Sequence, residues 1–116
     1  MNVSYEGIGQ WAATFACSDV SEGQVVKVSA GGTVAKCSAG DGFDGVVLSV
    51  ARDGKACSAA MGGMVTVSYS GSTAPTAGRN LLAADGSGGV TVVSTGGRSY
   101  LAVEVDTTAE TVTIVL

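Results

Sequence analysis

Short runs of β-branched residues separated by glycine turns constrain this chain more than any other feature of its sequence. It contains 18 Gly and 18 Val. Gly31-Gly32 and Asp53-Gly54 each separate two strand-like runs, and glycine at such positions permits the positive φ that tight hairpin turns require. No segment of ten residues shows an apolar period of 3.6, so the predicted fold is all-β.

The alternation of apolar and polar residues indicates how these strands are buried. Val65, Val67 and Tyr69 share one face of a run whose other face is polar, which is typical of half-buried antiparallel sheet. Residues 80–84 fit either a short strand or a single helical turn, and residues 70–78, which contain Pro75, predict a longer exposed loop. The architecture expected is a compact antiparallel β-barrel or sandwich of short strands with an N-terminal arm. The predicted strands cover residues 24–29, 33–36, 43–51, 55–60, 64–69, 90–94, 99–106 and 110–116.

The first 16 residues differ in kind from the rest. A chain of 116 residues has the size of one domain, and we expect a single β-rich domain over residues 17–116. Residues 1–16 include Tyr5, Ile8, Trp11 and Phe15. They are either a first strand whose aromatic residues fill the core, or an arm that lays Tyr5, Ile8 and Trp11 on a partner surface, since aromatic residues are enriched at interface anchors.

The charge of the chain argues against two classes of partner. Six basic and ten acidic residues give a net charge of −4, and no stretch concentrates Lys or Arg. Binding of nucleic acid needs clustered cations to neutralise phosphates, as does binding to an anionic membrane surface, so we expect neither. No apolar run approaches the roughly 18–20 residues that cross a bilayer, and the N-terminus lacks a basic start followed by a hydrophobic stretch. We therefore expect synthesis in the cytoplasm without export.

The three cysteines are predicted to be reduced, structural thiols. Cys17, Cys37 and Cys57 form no CxxC pair, and an odd number cannot be fully paired within one chain. Their equal spacing invites a repeat of 20 residues, but the three blocks share little beyond Cys-Ser. The spacing is therefore interpreted as chance.

Catalytic patterns are not found in the sequence. The chain has no His, the side chain that most often transfers protons near neutral pH, and no Ser lies in a nucleophile elbow. The glycine clusters are not followed by the lysine that a phosphate-binding loop needs. We predict that the protein is not an enzyme and uses no cofactor.

Two pairs of acidic residues are candidate sites. Asp41 and Asp44 could offer carboxylates to Ca²⁺, yet a calcium loop gathers six or more oxygens, so turn capping is the favoured role. Asp106 and Glu110 bracket a predicted turn and are expected to be solvated. No metal site is predicted.

Several segments resemble the small head decoration proteins of tailed bacteriophages, both the lambda type and the related glycine-rich capsid accessory proteins. The similarity spans residues 20–116 and rests on glycine, valine and spacing. The segments that carry it are Gly23-Gln-Val-Val-Lys-Val-Ser, Asp44-Gly-Val-Val-Leu-Ser-Val-Ala-Arg-Asp-Gly, Gly62-Gly-Met-Val-Thr-Val, Gly78-Arg-Asn-Leu-Leu-Ala-Ala-Asp-Gly and Thr111-Val-Thr-Ile-Val-Leu.

The resemblance implies a virion structural protein on the capsid exterior. Such a protein binds the outer face of the shell, commonly as a trimer, and cements neighbouring subunits of the major capsid protein, which would be its partner. Residues 1–16 lack the long proline-containing arm of the lambda protein, and no binding residue carries over from the family. The alternative is a β-sandwich module of a tail or baseplate that binds carbohydrate.

Overall fold

The computed structural model describes residues 9–116, which form ten strands and no helix. The all-β prediction is confirmed, and residues 80–84 belong to a strand. Predicted strand ends agree with the observed ones to within two residues. The strands are β1 Trp11–Ala16, β2 Val25–Ala30, β3 Thr33–Lys36, β4 Gly45–Val50, β5 Ala56–Gly62, β6 Met64–Ser70, β7 Gly78–Ala84, β8 Val90–Val92, β9 Arg98–Asp106 and β10 Thr111–Val115.

These strands close into two five-stranded barrels, one from each half of the chain. In the first barrel the order is β1-β3-β2-β4-β5, and in the second it is β6-β8-β7-β9-β10. Each barrel has one parallel pair, β1 with β3 and β6 with β8, and its other pairs are antiparallel. The barrel alternative of the sequence prediction is therefore the one observed, in two copies.

The two barrels have the same connectivity, so the chain contains an internal structural repeat. Strands β1, β2 and β4 begin at residues 11, 25 and 45, and β6, β7 and β9 begin 53 residues later, at 64, 78 and 98. The three cysteines do not mark this repeat. Cys17 follows β1, Cys37 follows β3 and Cys57 lies within β5, so their 20-residue spacing corresponds to no repeated unit.

Hairpin turns form at the predicted glycines. Gly32 between β2 and β3 has φ +69°, and Gly54 between β4 and β5 has φ +72°. An L-residue with a side chain rarely adopts this conformation, whereas glycine adopts it at little steric cost. Glycine thus allows the strands of the first barrel to reverse within a few residues.

The first barrel is filled by small side chains. Val26, Val34, Val47 and Ala59 are buried in it together with Cys17, Val20 and Cys57, and Phe15 packs against them from β1. Residues 11–16 thus form a strand of the first barrel. Tyr5 and Ile8 lie outside the described residues.

The second barrel has larger side chains inside. Leu82, Tyr100 and Ile114 are buried, and the same cluster includes Phe43 and Ala60 from the first half of the chain. The core of the second barrel therefore extends to residues from the first half of the chain.

A loop from the first barrel closes the core of the second. This plug loop, residues 37–44, connects β3 to β4. Phe43 is fully buried and its ring stacks on Tyr100, with centroids 4.5 Å apart and planes 5° apart. The Tyr100 hydroxyl donates to the Phe43 carbonyl at 2.8 Å, and Ala84 exchanges backbone hydrogen bonds with Gly40 and Asp41. The two barrels are joined by these contacts as well as by the chain itself.

Candidate functional site: an exposed apolar strip

Trp11, one of the predicted contact residues, lies on the surface. It begins β1 and leaves 60% of its side chain exposed, the largest exposure among the big hydrophobic residues described. It is paired in register with Gly62 of β5. A Cβ atom at position 62 would overlap the indole ring. Glycine at this position therefore allows the ring to lie close over the backbone of β5.

Three further apolar side chains form a row on the outside of the second barrel. Val115 of β10 is paired with Met64 of β6 on one side and with Leu101 of β9 on the other. Such cross-strand neighbours have Cβ atoms roughly 4.5–5.5 Å apart. The adjacent row, Val65, Ile114 and Ala102, is buried inside the barrel, so Met64, Val115 and Leu101 point outward because successive side chains in a strand alternate between faces.

Trp11 is connected to this row through its neighbours, since its ring packs over Gly62, two residues before Met64. The Gln10 side chain also donates to the Met64 carbonyl at 3.3 Å. Leu101 is 36% exposed, and Met64 and Val115 are half-buried. We call these four residues, Trp11, Met64, Val115 and Leu101, the apolar strip.

The outer face of the second barrel becomes polar with distance from the strip. The next cross-strand row contains Thr66, Thr113 and Glu104, and the Thr66 and Thr113 hydroxyls are 2.8 Å apart. At the other end of the strip the exposed Arg79 is paired with Leu101. The strip is thus bounded by hydroxyls and a carboxylate on one side and by a guanidinium at its end, as expected of an apolar patch with a polar rim.

The carboxylates considered for calcium hold the plug loop in place. Asp41 pairs with Lys27 at 2.7 Å and accepts the Ser38 backbone N–H at 2.9 Å. These two bonds, the Lys27 bond first, hold the pKa of Asp41 below its usual value. Asp44 accepts the Val28 N–H at 2.9 Å and lies 3.3 Å from the Arg98 guanidinium. Asp41 therefore caps a turn of the plug loop, as predicted, whereas Asp44 binds strand β2 and Arg98 and does not cap a turn.

Asp106 also caps a turn. Its carboxylate accepts the backbone N–H groups of Thr108 at 2.9 Å and Ala109 at 3.0 Å. Glu110 ends the same turn with φ +56°. Within residues 9–116, no group of three or more His, Cys, Asp or Glu is placed to hold a metal ion.

A cleft of about 260 Å³ lies at the junction of the barrels. It is lined by Glu22, Val46 and Leu48 from the first barrel, by Thr66 from the second and by Gln10. None of its described lining residues is aromatic, whereas a sugar site usually includes an aromatic platform. The alternative of a carbohydrate-binding module therefore gains no support from this cleft.

Comparison with known proteins adds no relative. No protein-family model matches the chain, and a search of curated proteins finds no match either. The described part of the chain contains no helix of the length and apolar character that would span a membrane.

The sequence predicts Trp11 as a contact residue, but it does not single out the other three residues of the strip. Met64, Val115 and Leu101 lie on three different strands, and only the register brings them together. The sequence contains one signal. Val115 lies on the same face of its strand as Thr111 and Thr113, the face that is otherwise polar. A single apolar residue on a polar face is common at protein surfaces, so this signal alone does not locate a site.

Proposed function

We propose that the protein is a non-enzymatic capsid decoration protein that binds the outer surface of a phage shell and cements neighbouring major capsid subunits. The observation that supports this proposal most is the apolar strip. Trp11 is the kind of residue that dominates binding energy at interfaces, where a few aromatic or apolar anchors contribute most of the affinity. The resemblance to phage head decoration proteins points to the shell as the partner.

The low charge of the chain supports the same proposal. Only 14% of residues are charged, against a typical ~25%. Fewer charges must lose their hydration when such a surface is covered by neighbours. The chain would act in symmetric copies, as a trimer on the shell, and would associate weakly in isolation.

The proposal is tested by co-sedimentation with empty shells assembled from the major capsid protein of a tailed phage. We expect saturable binding in a fixed ratio to the capsid protein. Trp11→Ala and Leu101→Ala should each weaken binding about tenfold or more. Val28→Ala is the matched control, because Val28 is 48% exposed but lies on β2, away from the strip.

A second pair of variants tests the position of the indole ring without removing it. Gly62→Ala should displace the ring and weaken shell binding, whereas Gly31→Ala, at a turn with open space around its Cα, should leave binding unchanged. Shell binding that is unaffected by Trp11→Ala, Leu101→Ala and Gly62→Ala would overturn the strip as the contact. Binding to a glycan array without binding to shells would favour the carbohydrate module instead.

A further inference from the structure

Two of the three cysteines meet inside the first barrel. Cys17 is the first residue after β1, and its backbone N–H donates to the Lys55 carbonyl at 3.1 Å. Cys57 is paired with Phe15 on the neighbouring strand β5. Cys17 and Cys57 are therefore diagonal neighbours across an antiparallel pair. They belong to the same core cluster and are 8% and 3% exposed.

The two thiols also influence each other electrostatically. The Cys17 thiol donates to the Gly54 carbonyl at 3.7 Å, and Cys17 lies near enough to Cys57 to raise the pKa of the Cys57 thiol. Burial first, and then this contact with Cys17, raises the pKa of Cys57 to about 11. Both groups are therefore held side by side, and Cys57 stays protonated at neutral pH.

Cys37 provides an internal comparison. It is 8% exposed, like Cys17, but belongs to the other core cluster, at the start of the plug loop. Burial raises its pKa to about 11 as well. Among the described residues no other thiol belongs to its cluster. Cys37 is therefore as buried as Cys17 but has no cysteine beside it.

We propose that Cys17 and Cys57 form a two-electron oxidation site that closes into an intrachain disulfide when the protein meets an organic disulfide oxidant such as oxidised glutathione. In the first step one thiolate attacks the oxidant, forms a mixed disulfide and releases one glutathione thiolate. The second cysteine, after losing its proton, attacks the protein-bound sulfur, forms the Cys17–Cys57 bond and releases the second glutathione thiolate. Overall, two thiols lose two protons and two electrons, and the oxidant gains both.

The position of the bond gives it a mechanical consequence. Along the seam between β1 and β3 the first barrel is closed by one residue pair, Ala16 with Thr33, next to Cys17. A bond from Cys17 to β5 would hold the end of β1 at this seam. Diagonal neighbours have Cα atoms roughly 7–8 Å apart, which is beyond the roughly 4.4–6.8 Å usual for a disulfide, so the end of β1 must move inward for the bond to form. A bond formed in this way is strained and is readily reduced again.

The experiment uses the full chain, reduced and then incubated with oxidised glutathione near pH 9, where thiolate is more abundant than at neutral pH. We expect the intact mass to fall by two hydrogen atoms, a peptide map to link residues 17 and 57, and dithiothreitol to reverse the change.

Substitutions separate this site from general thiol reactivity. Cys37→Ser should oxidise like the unsubstituted protein, whereas Cys17→Ser and Cys57→Ser should each retain the mass of the reduced chain or carry only a glutathione adduct. The peptide map of the unsubstituted chain decides the question even if a serine variant folds poorly. A link that involves Cys37, a dimer linked between chains, or no loss of mass would overturn the proposal. None of these outcomes depends on shell binding, so the proposed function is tested separately.

Discussion

The two barrels share a connectivity but differ in how their interiors are filled. The first barrel encloses mainly valine, alanine and cysteine, whereas the second encloses Leu82, Tyr100 and Ile114 and receives Phe43 from the plug loop. The same strand order thus accepts two interiors of different size. Connectivity alone therefore does not determine core composition in this chain. The core of the second barrel includes Phe43, which comes from the first half of the chain.

Phe43→Ala should have the largest effect on this arrangement. The substitution leaves a cavity beside Tyr100 and removes the stacked ring, so we expect the free energy of unfolding to fall by about 3–5 kcal/mol. Chemical denaturation measures the change. Phe15→Ala is the control in the first barrel, because Phe15 is only half-buried. Equal losses for the two variants would contradict the special role of the plug loop.

Leu82→Ala compares the interiors directly with Val34→Ala. Both side chains are buried, at 0% and 1% exposure. We expect a loss of about 2–5 kcal/mol for the leucine and about 1–3 kcal/mol for the valine, because fewer methyl and methylene groups are removed from the smaller side chain. Thermal and urea unfolding of both variants provide the measurement. A larger loss for Val34→Ala would mean that the first barrel, despite its small residues, is the more tightly packed of the two.

Tyr100→Phe keeps the ring stack but removes the hydrogen bond to the Phe43 carbonyl. A buried carbonyl left without its donor costs about 1–3 kcal/mol, and urea unfolding should show a loss in that range. Tyr69→Phe is the control, since the Tyr69 hydroxyl has no hydrogen-bond partner among the described side-chain contacts and Tyr69 lies in the same core. If both variants lose the same stability, the hydrogen bond does not anchor the plug loop.

Alkaline pH should lower the stability of both barrels in the same way, whereas neutral pH should not. Burial raises the pKa of Cys57 in the first core and of Cys37 in the second from 9.0 to about 11. Unfolded thiols lose their protons first as the pH rises, so the unfolded state is favoured progressively between pH 9 and 11. Unfolding followed by circular dichroism should show stability that is complete below pH 9 and declines above it. Cys37→Ser and Cys57→Ser should each reduce the decline, and a decline unchanged in both variants would assign it to other groups.

Much of the secondary structure could be predicted because its determinants are local. Alternation placed Val65, Val67 and Tyr69 on a buried face, and glycine pairs marked the hairpin turns. The pairing of β1 with β3 and of β6 with β8 depends on residues distant in sequence, and no local pattern encodes it. The repeat escaped detection because equivalent strands begin with unlike residues, such as Gly45 in β4 and Arg98 in β9.

The candidate site was predictable only in part for the same reason. Trp11 is conspicuous as the single tryptophan of an aromatic-poor chain, so its type alone drew attention. Leu101 and Met64 look like ordinary strand residues, and their outward position follows from the register of three strands.

The plug loop also bears on the order in which the two barrels fold. The ribosome releases the N-terminal half first, and domains that emerge early begin to fold before the rest of the chain is made. The first barrel can therefore assemble its own interior while Phe43 still lacks Tyr100, which follows 57 positions later. In that order of folding, the second barrel would form around the Phe43 ring, and the earlier half would act as an intramolecular template for the later one.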